Sequence, residues 1–449
     1  MIPAPKSSGL RPADLIASLR GFEKASAGRQ IATLASLAFL SLPIDDGPDE
    51  WRYIRNIAAH KHGQGQLSHR LYDLSSRVER HNSALDGVFT ETLTPDALRS
   101  GASLTDFILL ASSVVEQVGE DWNNFGPWVD AFLSESAVGK SVGEAGTPTA
   151  VAQLLARLVQ PQPGCAVLDP ACGPGEALKE VAALEPTVAL FGQEVDGLSV
   201  AVCRLRLYLL GQRADIRVGN ALWEPAQAPT PDGRFDRIVC DPPHGLIIAS
   251  SYDEALKRRY SDVSSRRSEA WFLDLCLDRL RPDGRAALLL PMGFLAKRGR
   301  EAKYRARLVH EGRIEGVIAL PGGILPGTDL PTALLVLRGT MSSDRVRFVD
   351  ASYLLSGGKR ASERLTPQHV GELVDLYNTP YDDQRAARVP IGLILEREAE
   401  LQPRMWIDTP EADAQSTSEL YQTALQAEAE AERAKVELER LMTYFKLRL

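Results

Sequence analysis

The chain has 449 residues, 44% hydrophobic and 24% charged, enough length and apolar content for two or three domains with cores of their own. No apolar run approaches the roughly 20 residues of a membrane helix, and the opening MIPAPKSSGLRPAD lacks the basic-then-apolar order of a secretory signal, so a cytoplasmic protein is expected. The formal charge of −8 has the wrong sign for a protein that grips nucleic acid unaided, although local basic patches count for more than the sum.

Residues 1–135 carry apolar residues at helical spacing, as in DLIASLRGFEKASAGRQIATLASLAFL and DEWRYIRNIAAH, and predict an N-terminal helical domain without a chemical motif. The turn-rich GKSVGEAGTPTA closes it. From residue 140 to 345 short apolar strands alternate with helical segments. The strands are CAVLDP, VALFGQEV, DIRVGN, FDRIVCDPP, GRAALLLPM, IEGVIALPG and TALLVLRG, and this alternation predicts a mostly parallel, Rossmann-like α/β sheet. Residues 346–410 read as a smaller appendage. Residues 411–449 read as a long helix, best defined over 414–445, with an apolar stripe at Leu438, Leu441, Met442 and Phe445 that suits assembly. The five cysteines (Cys165, Cys172, Cys203, Cys240, Cys276) form no CxxC pair and are expected as free thiols; the scattered histidines predict no metal site.

The densest chemical signal is VLDPACGPGEAL, residues 167–178: an apolar strand ending in Asp169, then Ala171 and a loop with Gly173 and Gly175 that opens a helix. Glycines let a ligand approach the backbone closely, and the strand end faces a helix N-terminus. The dinucleotide pattern GxGxxG is absent. Glu194 ends the next strand, 25 residues after Asp169, about where a nucleoside-binding fold puts a carboxylate on the ribose hydroxyls. Upstream, Thr147-Pro148 reads as an ordinary helix N-cap with proline at the first helical position. Downstream, FDRIVCDPPHG places Asp241, Pro242, Pro243 and His244 after the fourth strand, where two prolines stiffen the loop and aim Asp241 and backbone carbonyls inward.

The spacing DPxCGxG resembles motif I of S-adenosylmethionine-dependent methyltransferases, and DPPH resembles their motif IV, (N/D)PP(Y/F/W), in amino-methyltransferases acting on DNA. The resemblance implies S-adenosylmethionine as cofactor, held by Asp169, Ala171, Gly173, Gly175, Glu194, Asn220 and Asp241, with Thr147 and Pro148 in a segment (motif X) that covers its methionine end. It implies that Asp241 and a carbonyl at Cys240 or Pro242 hydrogen-bond an adenine N6 amine drawn out of the DNA stack. Two positions depart from the family: His244 stands where an aromatic residue stacks on the flipped base, and Asn220 where Asp is common.

The likeness extends in order over residues 140–410 to modification subunits of type I restriction systems. It is carried by GQEVDGLSVAVCRLRLYLLG, WFLDLCLDRLRPDGRAALLLPMGFL, RIEGVIALPGGILPGTDLPTALLVLRG and LQPRMWI. In that family a separate specificity subunit recognises the DNA sequence, so the expected partners are DNA and such a subunit, engaged through the C-terminal helix. Basic residues Lys257, Arg258, Arg259, Arg266 and Arg267, and a second cluster over 297–307, read either as phosphate contacts or as solvated faces. Two other functions stay open: a cofactor-binding subunit impaired in catalysis, in a DNA-modification or phage-defence complex, and a methyltransferase for another amine or amide.

Overall fold

The computed structural model describes residues 27–42, 47–60, 66–93, 104–119, 121–136, 146–248, 267–325, 328–340, 344–355 and 365–407. The expected helix over 414–445 and the basic residues Lys257, Arg258, Arg259 and Arg266 lie outside them. Before residue 137 the described elements are helical, chiefly α1 (Ala27–Leu40), α2 (Gly47–His60), α3 (Leu67–His81), α4 (Val88–Thr92), α5 (Leu104–Val118) and α6 (Trp122–Ser136). After it, α7 (Thr149–Val159) leads into β1 (Ala166–Asp169), α8 (Glu176–Leu184), β2 (Ala189–Glu194), α9 (Gly197–Leu209), β3 (Ala214–Val218) and β4 (Phe235–Cys240). Then come α10 (Ser268–Arg279), β5 (Leu280–Pro291), α11 (Met292–Ala296), α12 (Arg300–His310), β6 (Ile314–Ala319) and β7 (Thr332–Arg338). The chain closes through β8 (Arg345–Asp350), α13 (Pro367–Asn378), β9 (Ala386–Pro390) and α14 (Ile391–Glu396).

The nine strands make one sheet in the order β3-β2-β1-β4-β5-β7-β6-β8-β9. Strands β3, β2, β1, β4 and β5 run parallel, as β–α–β connections require. Strand β7 inserts antiparallel between β5 and β6. The sheet does not stop at residue 345: β8 pairs parallel with β6 and antiparallel with β9, so the stretch expected as an appendage supplies two of its strands. The chain moves outward from β1 through β2 to β3 and returns to β4 on the other side of β1. That reversal opens a crevice at the carboxyl ends of β1 and β4, the place where open α/β sheets bind ligands.

Both faces are covered, which explains why the strands read as near-continuous apolar runs. Val151, Leu155 and Leu158 of α7, Leu178 of α8 and Leu373 of α13 pack on one face; Trp271 of α10, Leu308 of α12 and Ile394 of α14 pack on the other. Helix α9 carries apolar residues on two faces because it serves two cores. Val200, Cys203 and Leu207 join the sheet core, while Val202, Leu205 and Leu209 join the core of α1–α6. Helix α6 crosses it so closely that a Cβ on Gly126 would lie 2.5 Å from the Leu209 carbonyl oxygen. Among the described residues no helix is long and apolar enough to cross a membrane.

Candidate active site

Asp169 closes β1 inside the crevice and is 3% exposed. Its Oδ1 accepts the Ala171 N–H at 3.1 Å. Burial pushes its carboxyl up to about 8; the Ala171 N–H opposes this, and the charges of Asp241 and Glu194 add to it. The loop that follows turns through Gly173 and Gly175, at φ 48° and 86°. Gly175 lies flat against α9: a Cβ there would stand 2.6 Å from Cys203 Sγ. Glu194 ends β2 and is held by three backbone N–H groups. Oε2 accepts Gly173 N at 3.1 Å, and Oε1 accepts Val195 N at 2.7 Å and Asp196 N at 3.1 Å. The next strand joins the same edge, since Gly219 N donates to the Glu194 carbonyl at 2.8 Å. Asn220 follows, exposed, its side-chain oxygen accepting Leu222 N at 3.0 Å.

The opposite wall is the loop after β4. Asp241 Oδ2 accepts the Thr147 hydroxyl at 2.8 Å, and Oδ1 lies 3.1 Å from His244 Nε2. Thr147 is therefore not a helix cap. Pro148 holds that position on α7 without a side-chain bond, and the Thr147 hydroxyl turns across the crevice instead. His244, expected to face a target base, turns one ring edge to Asp241. Burial alone would lower its pKa, but the hydrogen bond with Asp241 and the charges of Asp241 and Glu269 outweigh burial and raise it. Pro242 is buried and Pro243 exposed. The loop is pinned from α10: Ser268 Oγ donates to the Pro243 carbonyl at 2.7 Å and Glu269 Oε1 accepts Gly245 N at 2.8 Å.

The structure thus gathers Thr147, Asp169, Gly173, Glu194 and Asp241 at one sheet edge, with Ala171, Pro148 and Gly175 shaping the backbone around them. The edge fits a nucleoside-type cofactor. The loop offers bare backbone at Gly173, Glu194 has lone pairs beyond its three donors, and exposed Val195 and Trp223 give apolar surface beside Glu194 and Asn220. Sequence reasoning missed Ser268 and Glu269, whose only signal is polarity at the start of a helix that then turns apolar at Ala270, Trp271 and Phe272. It also missed Glu176, inside the motif I run itself. The second basic cluster divides. Arg305 is buried, donating to the carbonyls of Ala399 at 3.0 Å and Phe294 at 2.7 Å, and Arg307 donates to Asp274 at 3.3 Å. Arg298, Arg300 and Lys303 remain exposed beyond the carboxyl end of β5.

Sheet order, the β1/β4 crevice and the glycine loop define the Rossmann-like methyltransferase class. The N-6 DNA Methylase family model matches residues 123–415. The chain is 24% identical to the type I restriction enzyme MpnII methylase subunit of Mycoplasma pneumoniae over 375 residues, 75% of this chain and 69% of that one. It is 26% identical over 296 residues to the MjaVIII methylase subunit of Methanocaldococcus jannaschii, covering 60% of this chain but only 50% of the relative. In fold it is similar to the type I restriction-modification methyltransferase subunit of Streptococcus thermophilus, with TM-score 0.70, 22% identity, and 89% and 88% of the two chains covered. The chain belongs to the N-6 DNA methylase family.

Proposed function

We propose that this chain is a type I modification subunit. In this reading it binds S-adenosylmethionine, methylates adenine N6 in DNA, and works in the cytoplasm with a separate specificity subunit. The observation that carries the reading is Asp241, held on both oxygens at the mouth of the β1/β4 crevice, directly across from Asp169 and the glycine loop, in a chain of this family. When bound, S-adenosylmethionine supplies a methyl group already activated for transfer. Glu194 would hold its ribose hydroxyls, Asp169 and the Ala171–Gly175 backbone its neighbouring polar groups, Thr147-Pro148 its methionine end, and Asn220 the edge beside the base.

The chain's own chemistry is orientation. An exocyclic adenine amine is a weak nucleophile because its lone pair is delocalised into the ring. Asp241 and the carbonyl of Cys240 or Pro242 accept the two N6–H bonds, which localises the pair on nitrogen and points it at the methyl group. Thr147, Ser268 and Glu269 keep that acceptor set from rotating away. A carboxylate offers about four lone-pair positions, so Asp241 has capacity for the amine beside its two present partners.

A second reading has one observation in its favour: His244 already lies on Asp241, where the amine must bind. A subunit that binds cofactor without transferring methyl would look the same. Labelled methyl transfer from S-adenosylmethionine to DNA, with a specificity subunit present, separates the two. The enzyme reading expects transfer by the native chain and a loss of about 100-fold or more in Asp241→Ala. Transfer by neither native nor His244→Phe protein, with cofactor bound by both, selects the non-catalytic subunit. Transfer by Asp241→Ala at the native rate overturns the mechanism.

A further inference from the structure

The mechanism leaves unused a buried ionic cluster where the helical domain, the cofactor loop and the Thr147 segment meet. Arg206 projects from α9 and is 1% exposed. Its Nη1 donates to the Pro174 carbonyl at 2.7 Å, between the two loop glycines, and lies 3.0 Å from Glu176 Oε2. Its Nε lies 3.0 Å from Asp130 Oδ1 and its Nη2 3.3 Å from Ser134 Oγ, both on α6 of the helical domain. Lys179 repeats the bridge, with Nζ 2.7 Å from Glu176 Oε1 and 3.2 Å from Asp130 Oδ2. Glu176, 5% exposed, also accepts the Thr149 hydroxyl at 2.8 Å. Two residues before Thr149, Thr147 donates to Asp241. Burial alone would raise the Glu176 carboxyl, but the charges of Arg206 and Lys179 hold it below the usual range.

Buried ion pairs add little net stability, and well-packed apolar residues of similar volume often do as well or better. Helix α9 could have stayed apolar at position 206, as it is on its remaining inner faces. What Arg206 adds is a fixed geometry, because its hydrogen bonds to the Pro174 carbonyl and Ser134 Oγ each have one direction, with the Asp130 ion pair beside them. Here that geometry spans three elements that must hold their relative positions for methyl transfer.

We infer that Arg206, with Glu176, is a positioning residue: it ties the cofactor loop and the Thr147–Asp241 contact to α6, so that the helical domain sets cofactor affinity. The inference rests on the cofactor reading above. Asp130 is its sharpest point, since this carboxylate touches neither the glycine loop nor Asp241, yet must influence both.

The test is calorimetric titration of the full-length chain with S-adenosylmethionine, alongside thermal melting and steady-state kinetics with DNA and the specificity subunit. Asp130→Asn and Thr149→Val are mild changes expected to melt near the native protein while weakening cofactor binding several-fold. Arg206→Met is expected to weaken it about tenfold or more, the size of a lost hydrogen bond to a charged group. Arg206→Lys should not restore it, because one ammonium cannot reach the Pro174 carbonyl, Ser134 and Asp130 together. Thr149→Ser should restore what Thr149→Val loses. In kinetics the cofactor KM should rise more than kcat falls. Melting shifts in these variants with unchanged cofactor affinity and KM would reduce the cluster to a structural role and overturn the inference alone. A native chain that takes up no cofactor overturns it together with the cofactor reading.

Discussion

The two walls of the crevice are built from different materials. On the cofactor wall Glu194 is fixed by backbone N–H groups of Gly173, Val195 and Asp196, which no side-chain substitution removes. On the transfer wall Asp241 is fixed by side chains, the Thr147 hydroxyl and the His244 imidazole. The first wall is preformed and insensitive to its neighbours. The second is adjustable, and one of its partners is a titratable imidazole whose pKa burial lowers and Asp241 raises by more. Under the proposed function, the contrast suits a site that binds one invariant cofactor but must admit a base delivered by a separate chain.

Breaking the transfer wall should have the largest effect. Asp241→Ala is expected to cut methyl transfer by about 100-fold or more, the scale seen when an oriented electrostatic partner of a reacting group is removed. Cofactor affinity measured by calorimetry should move far less. Glu194→Ala breaks the other wall in the opposite sense. It should weaken cofactor binding by ~1–3 kcal/mol, and rate at saturating cofactor should largely recover.

Asp169 sharpens the comparison through pH. Its folded-state pKa of about 8 stands above the ordinary carboxyl value, so the native chain holds a proton there that the unfolded chain has already lost. Stability from this group is full below about pH 4 and declines as pH rises toward 8. Asp169→Asn should therefore melt above the native chain at pH 8, with the gap closing by pH 5. A cationic ligand beside Asp169 expels the same proton, so S-adenosylmethionine should bind tighter from pH 6 to 8. Titrations in buffers of different ionisation heat would detect that proton; a pH-independent affinity would contradict the assignment.

The smallest effect belongs to His244. Its pKa is raised by Asp241, so its stabilising contribution is present below about 6.5 and is lost as pH climbs through the folded value. His244→Gln should lower the melting temperature at pH 6, by on the order of 1 kcal/mol of stability, and have little effect at pH 9.

Strands β1–β7 were legible because most hold an apolar run bounded by turn residues. Strands β8 and β9 were not. Arg347 interrupts the apolar run of β8 and is buried there, donating to Asp382 at 3.1 Å and to the Leu376 and Tyr381 carbonyls, and β9 is the five-residue AARVP. Asp169 and Asp241 stand out because glycines and prolines mark the strand ends that carry them, and Glu194 because it ends the next strand 25 residues after Asp169. Thr147 was placed on the wrong bond because capping chemistry gave it a sufficient local explanation. Asp130 and Arg206 lie 76 residues apart in the sequence, and no local pattern joins them. The one available hint was a pair of arginines, Arg204 and Arg206, inside an otherwise largely apolar helix.

Helix α9 also governs how the molecule comes apart. Severed from the sheet, the described helices α1–α6 would lose Val202, Leu205 and Leu209 from their interior, each worth about 1.5–3 kcal/mol of burial. Severed from those helices, the sheet would carry the same three side chains into water. The two halves share α9 as a wall of both interiors, so heating should melt both in one cooperative step, with matching calorimetric and van't Hoff enthalpies despite two distinct architectures.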